Sequence, residues 1–145
     1  MEINTKAPAV AHHQITINAP IEKVWQLLSE INAWSTWQHD ISSAKLDGAL
    51  APGSVFRWKS GGSSITSQIQ EVVPQRRLGW TGKATGATAK HLWLLEPHAN
   101  GVLVKTEESF DGLVVVLLKG MMQKTLDTSL QSWLLQLKKA AERAT

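Results

Sequence analysis

The stretch VLVKTEESF, residues 102–110, alternates with a period of two. Val102, Val104, Thr106, Glu108 and Phe110 share one face, and Leu103, Lys105, Glu107 and Ser109 share the other. The pattern predicts a half-buried strand with Glu108 on its apolar side. A carboxylate there has to be paired, neutralised or wet, because an uncompensated buried charge costs more than the net stability of a whole domain. Glu108 is therefore the first candidate for a functional role.

Immediately upstream, a second alternating run, 88–96, is joined to this one by PHANG, residues 97–101. A loop spanning His98 to Gly101 sets Pro97 opposite Val102. The same register brings Leu95 to Val104, Trp93 to Thr106 and His91 to Glu108. A two-residue turn at Asn100 and Gly101 would instead oppose Trp93 to Glu108 and leave His91 one diagonal away on the same face. In both registers an imidazole and a carboxyl share a face, and only an odd-length loop would separate them. Such a pair suits an oriented base, a proton relay, ligand recognition or a mutually satisfied structural contact.

Downstream of Asp111 and Gly112, the apolar residues Leu118, Met122, Leu126, Leu130, Trp133, Leu137 and Ala141 recur at helical spacing. They predict one long amphipathic helix, bent at Gly120; about 28 residues would span roughly 40 Å, enough to cross a sheet diagonally. Lys138, Lys139 and Arg143 sit in its last turns, where cations complement the helix dipole.

Towards the N-terminus, HQITI (13–17) reads as a strand. NAPIEKVWQLLSEI (18–31) reads as a helix with Asn18 as cap, Pro20 in the first turn and Val24, Leu27, Leu28 and Ile31 on its apolar face. NAWSTWQHD (32–40) reads as a second, short helix with Asn32 as cap. From Ile41 the turn signals DGALAPG, SGGSS, VPQRR and GKATGATA separate alternating runs at 41–47, 54–60, 64–73, 76–82 and 88–96. With 13–17 and 102–110 these make seven antiparallel strands. Residues 1–11 are expected as a flexible tail, and 12–145 as a single domain.

Composition narrows the function classes. The chain has 145 residues, 43% hydrophobic and 19% charged, as one folded domain would. Its net charge of +3 is mild, and no run of five like charges occurs, so no nucleic-acid partner is expected. There is no Cys, which excludes disulfides, thiolate zinc sites and cysteine nucleophiles and suits a reducing compartment. MEINTKAPAVAHH has an early Glu2 and no apolar core, so no signal peptide is expected and the cytoplasm is the default location. LVVVLLKGMM (113–122) is broken by Lys119 and Gly120 and is too short for stable membrane insertion. No phosphate loop, dinucleotide fingerprint, nucleophile elbow or HExxH helix is present. His12 with His13, and His39 with Asp40, lack the company of a metal site, so neither metal nor cofactor is expected. Nothing in the sequence signals an oligomeric state.

The order strand, two helices, six-strand meander and long terminal helix resembles the helix-grip fold of the START and birch pollen allergen (SRPBCC) superfamily. INAPIEKVWQLLSEINAWSTWQHDI is similar to its opening unit, and LAPGSVFRWKSGGSSITSQIQEVVPQRRLGWTG to its central meander. HLWLLEPHANGVLVKTEESFDG is similar to members labelled polyketide cyclase or dehydratase-like. The resemblance covers about residues 12 to 142. It implies an α+β fold in which a curved seven-stranded sheet wraps the C-terminal helix and leaves a cavity between them, open near the start of that helix. The superfamily includes lipid carriers, hormone receptors, cyclases and folding-partner binders.

On the inward face, Phe56, Trp58, Leu78, Trp80 and Trp93 would converge with His91 and Glu108, joined by Ser67, Ile69, Thr106 and Phe110. Leu117, Met121 and Met122 are expected among the ligand-binding residues, the two methionines as adaptable fillers suited to a mobile lid, and Trp34 and Trp37 at the cavity mouth. Apolar walls with a few polar anchors suit a small hydrophobic or aromatic ligand, lipid or polyketide-like, held at its polar end by Glu108 and His91. The same pair suits a cyclase or dehydratase-like enzyme in which His91 abstracts a proton alpha to a carbonyl and Glu108 orients the ring. LVVVLLKGMM with Trp34 and Trp37 also suits a lipid-chaperone or protein-interaction surface.

Overall fold

The structure is a computed structural model and describes residues 1–143. In chain order the elements are β1 (Ala9–Ile17), α1 (Ile21–Ser29), a 3-10 turn (Ile31–Thr36), β2 (Ile41–Leu46), β3 (Val55–Ser60) and β4 (Ser63–Val73). They continue with β5 (Arg77–Ala84), β6 (Ala87–His98), β7 (Gly101–Asp111), α2 (Leu113–Leu117) and α3 (Lys119–Glu142). One antiparallel sheet runs in the order β1-β7-β6-β5-β4-β3-β2. Strands β2 to β7 are a meander of neighbours in sequence, and β1 closes onto the last of them, from Ala9 opposite Phe110 to Ile17 opposite Val102. The fold is the α+β helix grip, a curved sheet holding a long C-terminal helix. The β6–β7 hairpin turns at Ala99 and Asn100, with Pro97 opposite Val102 and His91 opposite Glu108.

Helix α3 lies along the edge strand β1, and its side chains satisfy backbone groups that a bare edge would expose. Gln123 accepts from the N–H of Val10 at 3.1 Å and donates to its carbonyl at 2.8 Å. His13 contacts Asp127 at 2.8 Å, Lys138 donates to the Thr16 carbonyl at 3.0 Å, and Glu142 accepts from the Asn18 N–H at 2.8 Å. The polar face of the helix thus caps the sheet, while Leu126, Leu130, Trp133, Leu134 and Leu137 enter the core.

Four local expectations are corrected. Asn18 does not cap α1: Pro20 occupies the cap position with φ fixed at −61°, and no side chain caps the helix. Asn32 lies within the 3-10 turn, its amide oxygen accepting from the Leu46 N–H at 2.7 Å, so it ties that turn to β2. The terminal helix breaks at Leu118 (φ −117°, ψ 37°) rather than at Gly120, because α2 is anchored separately. Val115 is buried with Ala9, Ala11, Leu126 and Leu130, and the Val114 N–H donates to the Gly86 carbonyl at 3.1 Å. Finally, residues 1–11 do not form a flexible tail. Ile3 is buried, the Asn4 N–H donates to Ser109 Oγ at 3.0 Å, and β1 already begins at Ala9.

The inner core is aromatic. Trp34 is completely buried, with ring centroids 5.1 Å from Trp133, 5.4 Å from Trp80, 5.5 Å from Phe56 and 5.6 Å from Trp58. Trp37 packs on Trp133 at 5.8 Å. Trp34 and Trp37, expected at a cavity mouth, therefore fill the interior instead: the 3-10 turn and the residue that follows it carry the two rings inward, and the Trp34 indole N–H donates to the Leu28 carbonyl at 3.1 Å. Large rings plug one end of the space between sheet and helix. At the other end the facing pairs are small, Gly82 opposite Ala89 and Ala84 opposite Ala87.

Candidate functional site

The small residues leave a cavity of about 330 Å³ between the sheet and α3. Trp58 and Ser67 on β3 and β4, Trp80 on β5, His91 on β6, and Glu108 and Phe110 on β7 form its sheet wall. Met122, Thr125, Ser129 and Trp133 form its helix wall, spaced three or four residues apart and hence on one face of α3. Val114 of α2 and the β5–β6 turn make its rim.

Glu108 and His91 are cross-strand neighbours on β7 and β6, and the strand pleat turns both inward. His91 Nδ1 lies 3.5 Å from Glu108 Oε1. With its proton on Nε2, the imidazole donates to Thr106 Oγ1 at 2.8 Å and leaves Nδ1 as an acceptor without a protein hydrogen bond. The ring is stacked on Trp93 at 5.3 Å and lies 4.8 Å from Trp80. Burial pushes the Glu108 carboxyl up to about 8 and the His91 imidazole down to about 3. In both cases the cause is desolvation, which penalises whichever form is charged. At neutral pH the site holds a carboxylic acid beside a neutral imidazole. Ser67 Oγ accepts from the Trp58 indole N–H at 3.0 Å.

Of the residues singled out in the sequence, Trp58, Ser67, Trp80, His91, Glu108, Phe110 and Met122 line the cavity. Phe56, Ile69, Leu78, Trp93 and Thr106 share the inward face but are buried behind the wall rather than in it. Leu117 and Met121 point away, 71% and 58% exposed. Together with Leu113, Val116 and Leu118 they form an exposed apolar edge beside the rim.

Sequence reading missed the helix wall. Thr125 and Ser129 stand four apart beside the apolar stripe, and that polar pair in register with Trp133 was the available signal. It also missed the small residues of β5 and β6, which look like turn residues in GKATGATA. Among the described residues no group of three His, Asp or Glu side chains is placed to hold a metal. No helix among them is long and apolar enough to cross a membrane.

Comparisons with known proteins agree with this architecture. A hypothetical protein from Helicobacter pylori superposes with a TM-score of 0.84 at 20% identity, over 95% of this chain and 90% of that one. A Thermus thermophilus protein gives 0.79 at 16% identity, over 91% and 96%. The aromatase/cyclase Zhui of a Streptomyces species gives 0.76 at 14% identity, over 92% and 93%. No match is found among curated proteins. The model of the family described as polyketide cyclase / dehydrase and lipid transport matches residues 8–142. With nearly the whole chain matched and the helix-grip fold in place, this protein belongs to that SRPBCC-type family.

Proposed function

We propose that the chain binds a small hydrophobic or aromatic molecule in the cavity between sheet and α3, with Glu108 and His91 at its polar end. The observation that carries this reading is an acid without a cationic partner in the wall of an otherwise mostly apolar space of about 330 Å³. That volume is at the small end of ligand pockets, and the walls are rigid rings. One or two fused rings suit it better than a long acyl chain. Burial of apolar ligand surface, about 25 cal/mol per Å², supplies the driving force, and the polar pair selects orientation.

Because Trp58, Trp80 and Trp133 line the space, titration with 1-naphthol should quench tryptophan fluorescence saturably. Ser129→Leu, which fills the cavity from the helix side, should abolish the quench. No quench from 1-naphthol or from other neutral one- and two-ring aromatics would overturn the reading.

The raised carboxyl also supports a second reading, proton transfer as in the cyclases and dehydrases that the family description names. Burial favours different roles from those expected on sequence. An imidazole held down to about 3 is a weak base, whereas a carboxyl at about 8 is poised for exchange near neutrality. Glu108 would then move the proton and His91 would position it. Exchange of the alpha protons of α-tetralone in D2O, followed by NMR, tests this: acceleration lost in Glu108→Gln supports it, and no acceleration removes it.

A further inference from the structure

We infer that the ligand taken by this cavity carries a cationic nitrogen, a protonated aromatic or alkyl amine whose ammonium sits between Glu108 and the indole walls. The inference rests on the binding reading above and adds the charge of the ligand.

The groups lining the cavity that can titrate or carry charge are Glu108, His91 and Lys83. Lys83 is exposed on the outward side of β5 at the rim. Beside Glu108 on the neighbouring strands stand Ala11 and His91, and α3 presents Met122, Thr125, Ser129 and Trp133 to the cavity. Among the described residues no Lys or Arg pairs with the acid, and the titratable group it meets is the imidazole at 3.5 Å. The protein has therefore buried an acid without compensating it. A cation supplies that compensation, whereas an anionic ligand would meet no fixed positive charge in the wall.

Once Glu108 has given up its proton its oxygens only accept, and the unpaired Nδ1 of His91 lies buried 3.5 Å from Oε1. A ketone brings no donor to that carboxylate and a hydroxyl brings one, whereas an ammonium brings three together with the charge that favours the ionised form. Trp58, Trp80, Trp133 and Phe110 put four aromatic rings around the space, and ring quadrupoles attract a cation, most strongly for Trp.

Three ligands on one skeleton test the idea by calorimetry at pH 7: phenethylamine, 2-phenylethanol and 3-phenylpropionate. The amine is expected to bind about tenfold or more tighter than the alcohol, with the carboxylate weakest. Because Glu108 is protonated when alone and ionised beside an ammonium, amine binding should release nearly one proton, read from the difference in heat between phosphate and Tris buffers. Glu108→Gln should remove both the preference and the proton release. The proton count in the unaltered protein needs no variant, so a folding failure of Glu108→Gln does not protect the inference. An alcohol that binds as tightly as the amine, or amine binding without proton release, overturns the inference and leaves the cavity reading standing. If none of the three binds, the inference is overturned as well, and the 1-naphthol quench then decides whether the cavity reading survives it.

Discussion

Glu108→Gln should change how stability depends on pH in a way that no surface substitution can. In the folded chain the carboxyl keeps its proton up to about 8, against 4.5 for an unburied Glu. Between these values the unfolded chain has released a proton that the folded chain still holds, so stability falls by about 1.4 kcal/mol for each unit rise in pH. His91 acts in the opposite sense. Its folded value is about 3 against 6.5 unburied, so stability is lost as pH falls below 6.5. From 4.5 to 6.5 the two slopes cancel, and above 6.5 only Glu108 contributes.

Between pH 6.5 and 8 the unaltered protein should therefore lose about 1.5–2 kcal/mol that Glu108→Gln does not lose. In a chain of this size that corresponds to roughly 3–8 °C in Tm. Urea melts at half-unit pH steps measure it, and the difference between the two proteins removes every other titrating group. The glutamine carries its own pH-independent cost, so the diagnostic is the slope and not the level. Parallel curves from pH 6.5 to 8 would show that Glu108 is ionised and solvated, and the account of the site would fail with it.

Other perturbations test the frame around the site. Gly86 sits at φ +74°, and a Cβ there would lie 2.2 Å from Val114 Cγ2; Gly86→Ala should cost about 2–3 kcal/mol and loosen α2 from the rim. Gly48→Ala is the control, left-handed at φ +81° with nothing within 4 Å, and should cost about 1 kcal/mol in thermal melts. Gln123→Leu strips both bonds from Val10 on the edge strand; about 1–3 kcal/mol of stability should be lost and concentration-dependent association should appear in sedimentation velocity. Leu117→Asp, at a side chain 71% exposed, should leave the melt within about 0.5 kcal/mol of the original. It should also lower co-sedimentation with phosphatidylcholine vesicles, and equal co-sedimentation would remove any lipid-docking role for the apolar edge.

The β6–β7 hairpin shows what was legible in the chain alone. Alternation in VLVKTEESF names the inward face, and the turn residues at 97–101 offer two even-length loops. Either of those puts His91 and Glu108 on one face, because side-chain direction in a strand repeats every two residues. The terminal helix was legible for the same reason, since its apolar stripe is a local period. The break at Leu118 was not legible: Gly120 is the weaker helix former, yet the bend falls where α2 is pinned by Val115 and Gly86. Trp34 and Trp37 were misplaced because a short mixed segment has no period to show which side faces the core.

By itself the sequence determined the run of alternating strands, their inward faces and the presence of an acid and an imidazole among apolar neighbours. These follow from backbone periodicity, which each segment carries within itself. Only the tertiary structure decided that the indoles of Trp34, Trp37 and Trp133 fill one end of the grip, while the Gly82, Ala84, Ala87 and Ala89 positions leave the other end open beside Glu108. Where a void falls depends on the summed volumes of side chains that meet from distant segments, and no local pattern records that sum.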